Sequence, residues 1–275
     1  MNSDITKFKT EGYLGPFNLN DQSDFTSLLQ EKYIPKNLYT WYKSPHEKSK
    51  GIIKLASDKN ILEKLKNVLS NDILLWGSLF VDQKPSNQHV CHLDVEHGSW
   101  DGATVWIGLK NLNEKTSLSL ITHTHLLNTA PIELQKKNDI DCKNDQAVLE
   151  EAKKLDPRCE LKNFYLKKGE FIIWSGRVWH STFNRSKKTR QSIILQYCTP
   201  NNKVKIPTNF NYPDTGWSKT EPPCILISGE DKYNLNKILY KKDIKFVQRF
   251  KILTIYNLRY KMAYLFRKIK AIFYN

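Results

Sequence analysis

The sequence predicts a mainly β protein with flanking helices, arranged as a jelly roll. Six short segments rich in branched and aromatic residues follow one another between residues 73 and 198, and polar or Gly/Pro-containing turns separate most of them. The two segments with a clear helical spacing precede these strands instead of alternating with them. A parallel α/β sheet needs that alternation, so an antiparallel sandwich or barrel with helices as outer support is expected.

The predicted elements follow in a simple order along the chain. Each predicted helix opens at a Ser or Asp cap and carries apolar residues at three-to-four spacing. The charged segment 126–160 is predicted to be a helical insertion in a single jelly-roll domain of residues 1–230. The predicted helices are 24–32 and 57–70, and the predicted strands are 73–81, 89–94, 103–109, 117–122, 170–175 and 192–198.

Composition favours a folded protein in a reducing compartment. A chain of 275 residues with 40% hydrophobic content can bury a full core, and its 7 Trp, 13 Tyr and 12 Phe make disorder an unsuitable description of most of it. Five cysteines are an odd number without a C-x-x-C pair, which argues against a disulfide framework. The N-terminus lacks the apolar run of a signal peptide, and no uncharged apolar stretch reaches the roughly 18 residues of a membrane span. The expected location is the cytoplasm.

The basic charge lies mainly at the C-terminus. Of a formal net charge of +15, residues 231–275 carry +10, from twelve Lys or Arg against two Asp. We interpret this segment as a basic amphipathic helical tail that binds an anionic surface such as the inner membrane face. Packing on the jelly roll or on a second subunit is the alternative, and a nucleic-acid partner is not favoured because no recognition motif is present. The apolar positions of the tail are Ile255, Leu258, Met262, Leu265, Ile269 and Ile272.

The run CHLDVEH at residues 91–97 contains a candidate metal site. Strand alternation places His92 and Asp94 on one face, about 7 Å apart, so that both can reach a single ion. His180 follows the apolar strand at 170–175 and a Gly-containing turn, and it supplies a third ligand. Two histidines and one carboxylate leave three positions open, the arrangement that suits non-haem Fe(II).

An iron centre of this kind commonly uses 2-oxoglutarate as an electron-donating co-substrate. The distal carboxylate of 2-oxoglutarate needs a fixed cation, and Arg is best suited to pair with it. Arg190 and Ser192 lie on one face of the last predicted strand and are candidates for this contact. Gln88, four residues before His92, and Thr122 are further candidate co-substrate ligands, for which core or edge roles are equally open.

The pattern is similar to the phytanoyl-CoA dioxygenase (PhyH) family of iron/2-oxoglutarate oxygenases. The resemblance rests on the H-x-D at His92 and Asp94, the following TVWIGL strand at 104–109, and His180 with the later Arg190. It implies a double-stranded β-helix of the cupin-like type, with iron bound by His92, Asp94 and His180 and with 2-oxoglutarate paired with Arg190. The chain departs from the family at 116–118 and 122–125, where TSL and THTH replace the usual Gly-Pro-Leu and Pro-Gly-Ser-His.

The resemblance implies a dioxygenase that converts O2 and 2-oxoglutarate into CO2 and succinate while it oxidises a substrate. Because Asp94 is present where halogenating relatives have a small residue, hydroxylation is favoured over halogenation. The expected substrate is a small molecule or a glycan or lipid-linked precursor, with the basic tail as the hint toward the membrane. Two alternatives remain open: a non-catalytic cupin-type protein that binds a metal or sugar, and a nucleic-acid oxygenase. His123 and His125 are expected to be loop residues, with a second metal pair as the alternative.

Overall fold

The fold is that of a computed structural model, which describes residues 3–21, 25–94, 102–204, 221–240, 242 and 244. The α-helices are α1 (Ser3–Glu11), α2 (Phe25–Glu31), α3 (Lys50–Ala56), α4 (Lys59–Val68), α5 (Pro131–Asn138) and α6 (Asp145–Leu155). The strands are β1 (Tyr13–Asn18), β2 (Ile73–Gln83), β3 (Gln88–His92), β4 (Gly102–Lys110), β5 (Thr116–Ile121), β6 (Leu161–Phe164), β7 (Glu170–Ser175), β8 (Trp179–Asn184), β9 (Arg190–Cys198) and β10 (Ile225–Ser228). None of the helices in these ranges has both the length and the apolar character that a membrane span needs.

The strands form two antiparallel sheets. The major sheet has the order β1-β7-β4-β9-β2-β10, and the minor sheet has the order β3-β8-β5-β6. Apart from β5 and β6, the neighbouring strands are not consecutive in the chain, which is the connectivity of a jelly roll and differs from that of a simple meander. The predicted mainly β fold, a double-stranded β-helix with flanking helices, is confirmed.

The front helices cover the outer face of the major sheet. Ile193 and Leu195 of β9 pack in one apolar cluster with Ile61 and Leu65 of α4, and all four are fully buried. Asp58 caps α4 by accepting hydrogen bonds from the backbone N–H groups of residues 60 and 61, as expected for a helix that opens at an Asp. Both predicted front helices are present, and α1 and α3 are additional helices on the same face.

The helices α5 and α6 cover the outer face of the minor sheet. Val148 and Leu149 of α6 pack against Ile121 of β5 and Trp179 of β8. The Asn144 side chain caps α6 by accepting hydrogen bonds from the N–H groups of residues 146 and 147. These helices lie within the segment 126–160 that was predicted to be an insertion.

A third apolar cluster lies between the two sheets. Trp106 of β4 and Trp174 of β7 pack there against Leu118 and Leu120 of β5. Along β9 the alternation of a strand sends residues 193, 195 and 197 to the helices and residues 190, 192, 194 and 196 to this interior. The interior is therefore the place where polar side chains of the major sheet can meet the minor sheet.

The C-terminal segment is described only in part. Residues 231–240 contain no helix, and they contact the body of the fold where Leu239 N–H donates to the Cys224 carbonyl at 2.7 Å. The apolar positions of the predicted amphipathic helix, from residue 255 onward, lie outside the described residues. The helical tail therefore stays a prediction.

Candidate active site

The structure brings the three predicted metal ligands together at one end of the interior. His92 of β3 and His180 of β8 are directly opposite each other in the minor sheet, and Asp94 follows two residues after the end of β3. One ligand atom from each side chain lies within 4.8 Å of the other two, and His180 Nε2 is 3.9 Å from Asp94 Oδ2. Two imidazoles and one carboxylate at this spacing can hold one metal ion on a single face.

Backbone carbonyl groups fix the orientation of both imidazoles. His92 Nδ1–H donates to the Val90 carbonyl at 2.8 Å, and His180 Nδ1–H donates to the Val178 carbonyl at 2.9 Å. Each bond uses the carbonyl of the residue two positions earlier in the chain. Because Nδ1 carries the proton in both rings, Nε2 is the atom that can coordinate a metal.

The Asp94 carboxylate is held by two side chains from the major sheet. Thr104 Oγ1 donates to Asp94 Oδ2 at 2.7 Å, and Trp174 Nε1 donates to the same oxygen at 3.2 Å. Thr104 and Trp174 are cross-strand partners in β4 and β7, so they approach the carboxylate from adjacent positions on one face. Such partners keep a ligating carboxylate in one orientation.

Burial and neighbouring charges put these groups in the protonation states that a metal requires. Burial lowers the pKa of His92 and of His180, so both imidazoles are neutral at neutral pH. Burial alone would raise the pKa of Asp94, but His180, Lys43 and the Thr104 hydroxyl outweigh it and the pKa lies below its usual value. Neutral imidazoles and an ionised carboxylate are the ligating forms. The donor set thus fits the predicted Fe(II).

Arg190 is buried in the interior with most of its hydrogen-bonding capacity unused. Its Nη1 donates to the Ser117 carbonyl of β5 at 3.1 Å, while Nε and Nη2 have no hydrogen-bond partner among the described residues. The guanidinium carbon lies 5.0 Å from the centroid of the Trp106 ring, a cation–π contact. Burial lowers the pKa of Arg190 to about 10, so the group stays charged at neutral pH. A buried, charged guanidinium whose Nε and Nη2 are not bonded within the described residues fits the carboxylate of a bound acid.

Ser192 lies beside Arg190 on the interior face of β9. It is buried, and its Oγ has no partner within the described ranges. Alternation places Ser192 on the same face as Arg190, as predicted. A second polar group that lacks a partner within the protein strengthens the case for a polar ligand at this position.

The structure does not place Gln88 with Arg190. The Gln88 side chain donates to the Lys143 carbonyl and lines a groove on the outer face of the minor sheet. Gln88 is opposite Phe183, and His92 is opposite His180. Residues 89–92 of β3 therefore pair with residues 180–182 of β8, and the extra residue of β3 lies between His89 and His92. This β-bulge reverses the alternation. The prediction that Gln88 bonds the co-substrate is corrected for this reason.

Thr122 is also separated from Arg190. Its Oγ1 accepts from the Glu160 N–H at 3.1 Å, which holds the turn between β5 and β6. Arg190 contacts Ser117 near the start of β5 and Thr122 follows the end of this strand, so the two sites are about 17 Å apart along it. The structure therefore places Thr122 in the turn after β5, and its role as a co-substrate ligand stays a prediction.

His123 and His125 lie on this same turn. His123 Nδ1 contacts Thr122 Oγ1 at 3.0 Å, and His125 Nε2–H donates to the Lys9 carbonyl at 3.0 Å. In the part of the chain that the structure describes, neither belongs to a group of three or more possible metal ligands. The loop role expected for them agrees with these contacts.

Sequence reasoning missed several residues around the metal ligands. Thr104 and Trp174 support Asp94, and the ring of His89 lies 4.3 Å from that of His92 at the exposed side of the site. Thr104 opens the TVW motif and shares a strand face with Trp106, so alternation could have identified it. His89 could not be found in this way, because the bulge in β3 is what turns it toward the site.

The fold and this centre define a class of protein: a double-stranded β-helix with a mononuclear metal site of two histidines and one carboxylate. The sequence matches the family described as phytanoyl-CoA dioxygenase (PhyH) over residues 37–192, which is more than half of the chain. The chain belongs to this family. It is a non-haem oxygenase of the iron- and 2-oxoglutarate-dependent type, and the predicted cofactors Fe(II), 2-oxoglutarate and O2 are those of that class.

Several solved structures have the same fold. The chain is similar to CytC3 with Fe(II) and alpha-ketoglutarate, at 18% identity and a TM-score of 0.60 over 87% of this chain and 92% of that one. It is also similar to the non-heme monooxygenase ThoJ, at 14% identity and a TM-score of 0.59 over 93% and 94% of the two chains. A third is SnoN, an alpha ketoglutarate dependent epimerase from nogalamycin biosynthesis, at 14% identity and a TM-score of 0.53 over 79% and 91%. Comparison of the sequence with curated proteins found no significant relative.

Proposed function

We propose that this protein is an Fe(II)- and 2-oxoglutarate-dependent hydroxylase of a small molecule or of a glycan or lipid-linked precursor. The observation that carries the proposal is the coexistence of two features in one interior. One is the His92, Asp94 and His180 group, and the other is Arg190, buried and charged with two donor nitrogens that have no partner among the described residues. A protein that only bound a metal or a sugar would have no use for the second feature.

The chain's own residues have separable roles in this reaction. Bound Fe(II) supplies the redox chemistry that couples O2 reduction and 2-oxoglutarate decarboxylation to substrate oxidation. His92, Asp94 and His180 hold the ion, and Thr104 and Trp174 keep the Asp94 carboxylate in place. These contacts fix the ligands before any substrate arrives.

The co-substrate is bound by groups of the major sheet. Arg190 pairs with the distal carboxylate of 2-oxoglutarate, and the Ser192 hydroxyl donates a hydrogen bond to the same group. The Trp106 ring beneath the guanidinium and the apolar side chains of Leu118 and Leu120 exclude water from this part of the interior. Exclusion of water strengthens the charge pair and protects the reactive centre.

The direct test is 2-oxoglutarate turnover by the full chain loaded with Fe(II) under anaerobic conditions and then exposed to air. We expect succinate in amounts equal to the 2-oxoglutarate consumed, even without substrate and at a slow rate. Arg185→Leu is the matched control for Arg190→Leu, because Arg185 is exposed and stacks on Phe183 outside the interior. The absence of succinate under all conditions would favour a cupin-type binding protein.

Hydroxylation is distinguished from the other outcomes of this class by the product. Mass spectrometry of metabolites and surface glycans from a strain that lacks the gene should show one compound that has lost a single oxygen atom. An epimerase would instead change the retention of a compound without changing its mass. Equal masses in both strains would overturn the hydroxylase assignment and leave the oxygenase class intact.

A further inference from the structure

A groove lies on the outer face of the minor sheet, on the side of the sheet that faces away from the interior. Its volume is about 600 Å³, within the range of about 300–1,000 Å³ that small-molecule sites have. We call it the outer groove. The residues of its lining that matter here are Ser117, Ser119, Asp145, Asn163, Tyr165 and Phe183.

The outer groove exists because the sheet changes its side chains where the cover of α6 ends. Under α6, the outer face presents Ile121 and Trp179, which pack against the helix. Beyond the start of α6, the same face presents Ser117 and Ser119 of β5, both buried at the floor of the groove. A serine side chain is too small to fill the space that Ile or Trp fills. The floor is therefore polar and the space above it is left open.

Hydrogen bonds to the minor sheet hold one wall of the outer groove, the segment 141–146. The Gln88 side chain of β3 donates to the Lys143 carbonyl. Ser181 Oγ of β8 donates to Asp145 Oδ1 at 2.7 Å, which also fixes the position of this carboxylate. A wall that is fixed before binding lowers the cost of ordering the site when a ligand arrives.

The outer groove offers a hydrogen-bond donor and a hydrogen-bond acceptor that the protein has already oriented. Ser119 Oγ donates to Asn163 Oδ1 at 2.7 Å, and the exposed Asn163 keeps its Nδ2 as a donor. Asp145 accepts from Ser181 through Oδ1 and keeps Oδ2 as an acceptor. An amide donor and a carboxylate acceptor match hydroxyl groups, because each hydroxyl both donates and accepts.

Two aromatic residues flank the serine floor. Phe183 of β8 is the cross-strand partner of Ser117, and Tyr165 follows β6 on the other side of β5. Neighbouring strands are about 4.8 Å apart, so the backbones of the two aromatic residues are about 10 Å apart with Ser117 between them. Tyr165 is 52% exposed, and its ring is available to pack on an apolar face of a ligand.

We propose that the outer groove binds an uncharged carbohydrate. Two Asp and two basic side chains line the groove, so their formal charges cancel and favour neither an anion nor a cation. A sugar ring has an apolar C–H face for the Tyr165 ring and hydroxyl groups for Asn163 and Asp145. A purely apolar ligand would cover the amide and the carboxylate without bonding them, which is costly. Carbohydrate binding here does not depend on the reaction at the metal centre.

The first experiment screens the full chain on an array of neutral, sialylated, sulfated and phosphorylated glycans, with a soluble Ser/Gly peptide as the polar control. At least one neutral glycan should be retained. Titration of that glycan followed by NMR should give a Kd of about 1 mM, and added salt should not change it because no net charge is involved. Retention of acidic glycans alone, retention of none, or equal binding of the peptide would overturn the proposal.

The second experiment tests whether the retained glycan occupies the outer groove. Tyr165→Ala and Asn163→Leu should each weaken its binding about tenfold while the Tm stays that of the wild type, because both side chains are exposed. Tyr233→Ala is the matched control, since Tyr233 has a similar exposure of 53% and lies outside the groove. Asp145→Asn keeps an acceptor for Ser181 but removes the carboxylate, and it should weaken binding in the same direction.

The variants also separate the outer groove from the interior. Binding that Arg190→Leu weakens and that Tyr165→Ala and Asn163→Leu leave unchanged would place the glycan in the interior and contradict the proposal. If Tyr165→Ala lowered the Tm, Asn163→Leu and Asp145→Asn would decide the result. Unchanged affinity in these two variants would overturn the proposal as well. Succinate formation from 2-oxoglutarate is measured separately, so failure of the carbohydrate site leaves the oxygenase intact.

Discussion

The two faces of strand β9 have different roles: one face contributes to stability and the other to ligand binding. Toward the helices, Ile193 and Leu195 are fully buried in an apolar cluster, and the Tyr197 hydroxyl donates to the Ala56 carbonyl at 3.1 Å. Toward the interior, Arg190 and Gln196 are equally buried but keep polar atoms that have no partner in the described ranges. Packing is complete on one face, while the other face is built for ligands that the protein does not itself supply.

This difference indicates that substitutions on the two faces should have opposite consequences. A change on the helix face removes packed contacts and should lower stability without affecting ligand binding. A change on the interior face removes a polar group that we expect to contact a ligand, so it should affect ligand binding more than stability.

The largest effect is expected at the metal centre on the interior side. Asp94→Ala leaves two imidazoles as the remaining ligands, and we expect iron affinity to fall by more than about 100-fold, since even the loss of a supporting partner costs about 10–100-fold. Thr104→Val, which removes only the bond to Asp94, should show the smaller loss. Metal titration of the apo protein measures both. Turnover of Asp94→Ala near that of the wild type, without added chloride or formate, would remove Asp94 from the ligand set.

Arg190→Leu tests the co-substrate side of the interior face. Loss of one partner of a buried charge pair costs about 2–5 kcal/mol, so the apparent affinity for 2-oxoglutarate should fall more than tenfold while iron remains bound. Arg185→Leu, on the outer face of the minor sheet, should leave the affinity as it is. A reversed result for the two arginines would move the anchor to Arg185.

Leu195→Ala sharpens the comparison because Leu195 precedes Gln196 and points the other way. Deleting a buried Leu side chain costs about 2–5 kcal/mol of the free energy of unfolding. We expect a lower midpoint in denaturant with unchanged affinity for iron and 2-oxoglutarate. If Leu195→Ala weakened ligand binding and left stability unchanged, the division between the two faces would be incorrect.

His46 provides a pH test of the packed side. It is fully buried between Ser78 and the Pro223 carbonyl, and burial lowers its pKa from 6.5 to about 4. The pKa of His46 is lower in the folded protein than in the unfolded chain, so its contribution to the free energy of unfolding is complete above pH 6.5. This contribution, about 3 kcal/mol, is lost as the pH falls toward 4. His46→Asn should flatten the stability profile in this window. A slope equal to that of the wild type would assign acid sensitivity to other groups.

The C-terminal tail should have the smallest effect on the site. We propose that residues 252–275 bind an anionic membrane surface, and that their deletion leaves iron binding unchanged because the metal and co-substrate groups precede residue 200. Each basic residue near such a surface contributes about 1 kcal/mol, so vesicle binding should weaken, and added salt should weaken it further. Sedimentation with anionic vesicles measures this. A truncated protein that loses its thermal transition would show that the tail is part of the fold.

Most of the architecture could be predicted because its signal is local. Branched and aromatic runs identified β2, β3, β4, β5, β7 and β9, and alternation placed Arg190 and Ser192 on one face. Strand β8 was missed because the side chains that it turns to the interior, His180, Thr182 and Asn184, are polar. Thr182, for example, accepts a hydrogen bond from Gln83 of β2, a contact between the two sheets that no local pattern reveals.

The positions of Gln88 and Thr122 could not be predicted from the sequence, and the physical reason is the same for both. Gln88 was assigned by counting along β3, but a β-bulge between His89 and His92 reverses the alternation and turns Gln88 outward. Thr122 was a candidate co-substrate ligand with a core or edge role equally open, and the structure places it at the opposite end of β5 from the Arg190 contact. Both depend on strand pairing, which the spacing of residues in one segment does not determine.

The most direct test of the central claim is an anaerobic titration of the full chain with Fe(II) and 2-oxoglutarate, followed by visible absorption. If the interior face holds both ligands at one site, a charge-transfer band should appear only when both are present. It should be absent in Asp94→Ala and should need more than tenfold more 2-oxoglutarate in Arg190→Leu. A wild-type protein that shows no band, or an Arg190→Leu variant that titrates as the wild type does, would contradict the account.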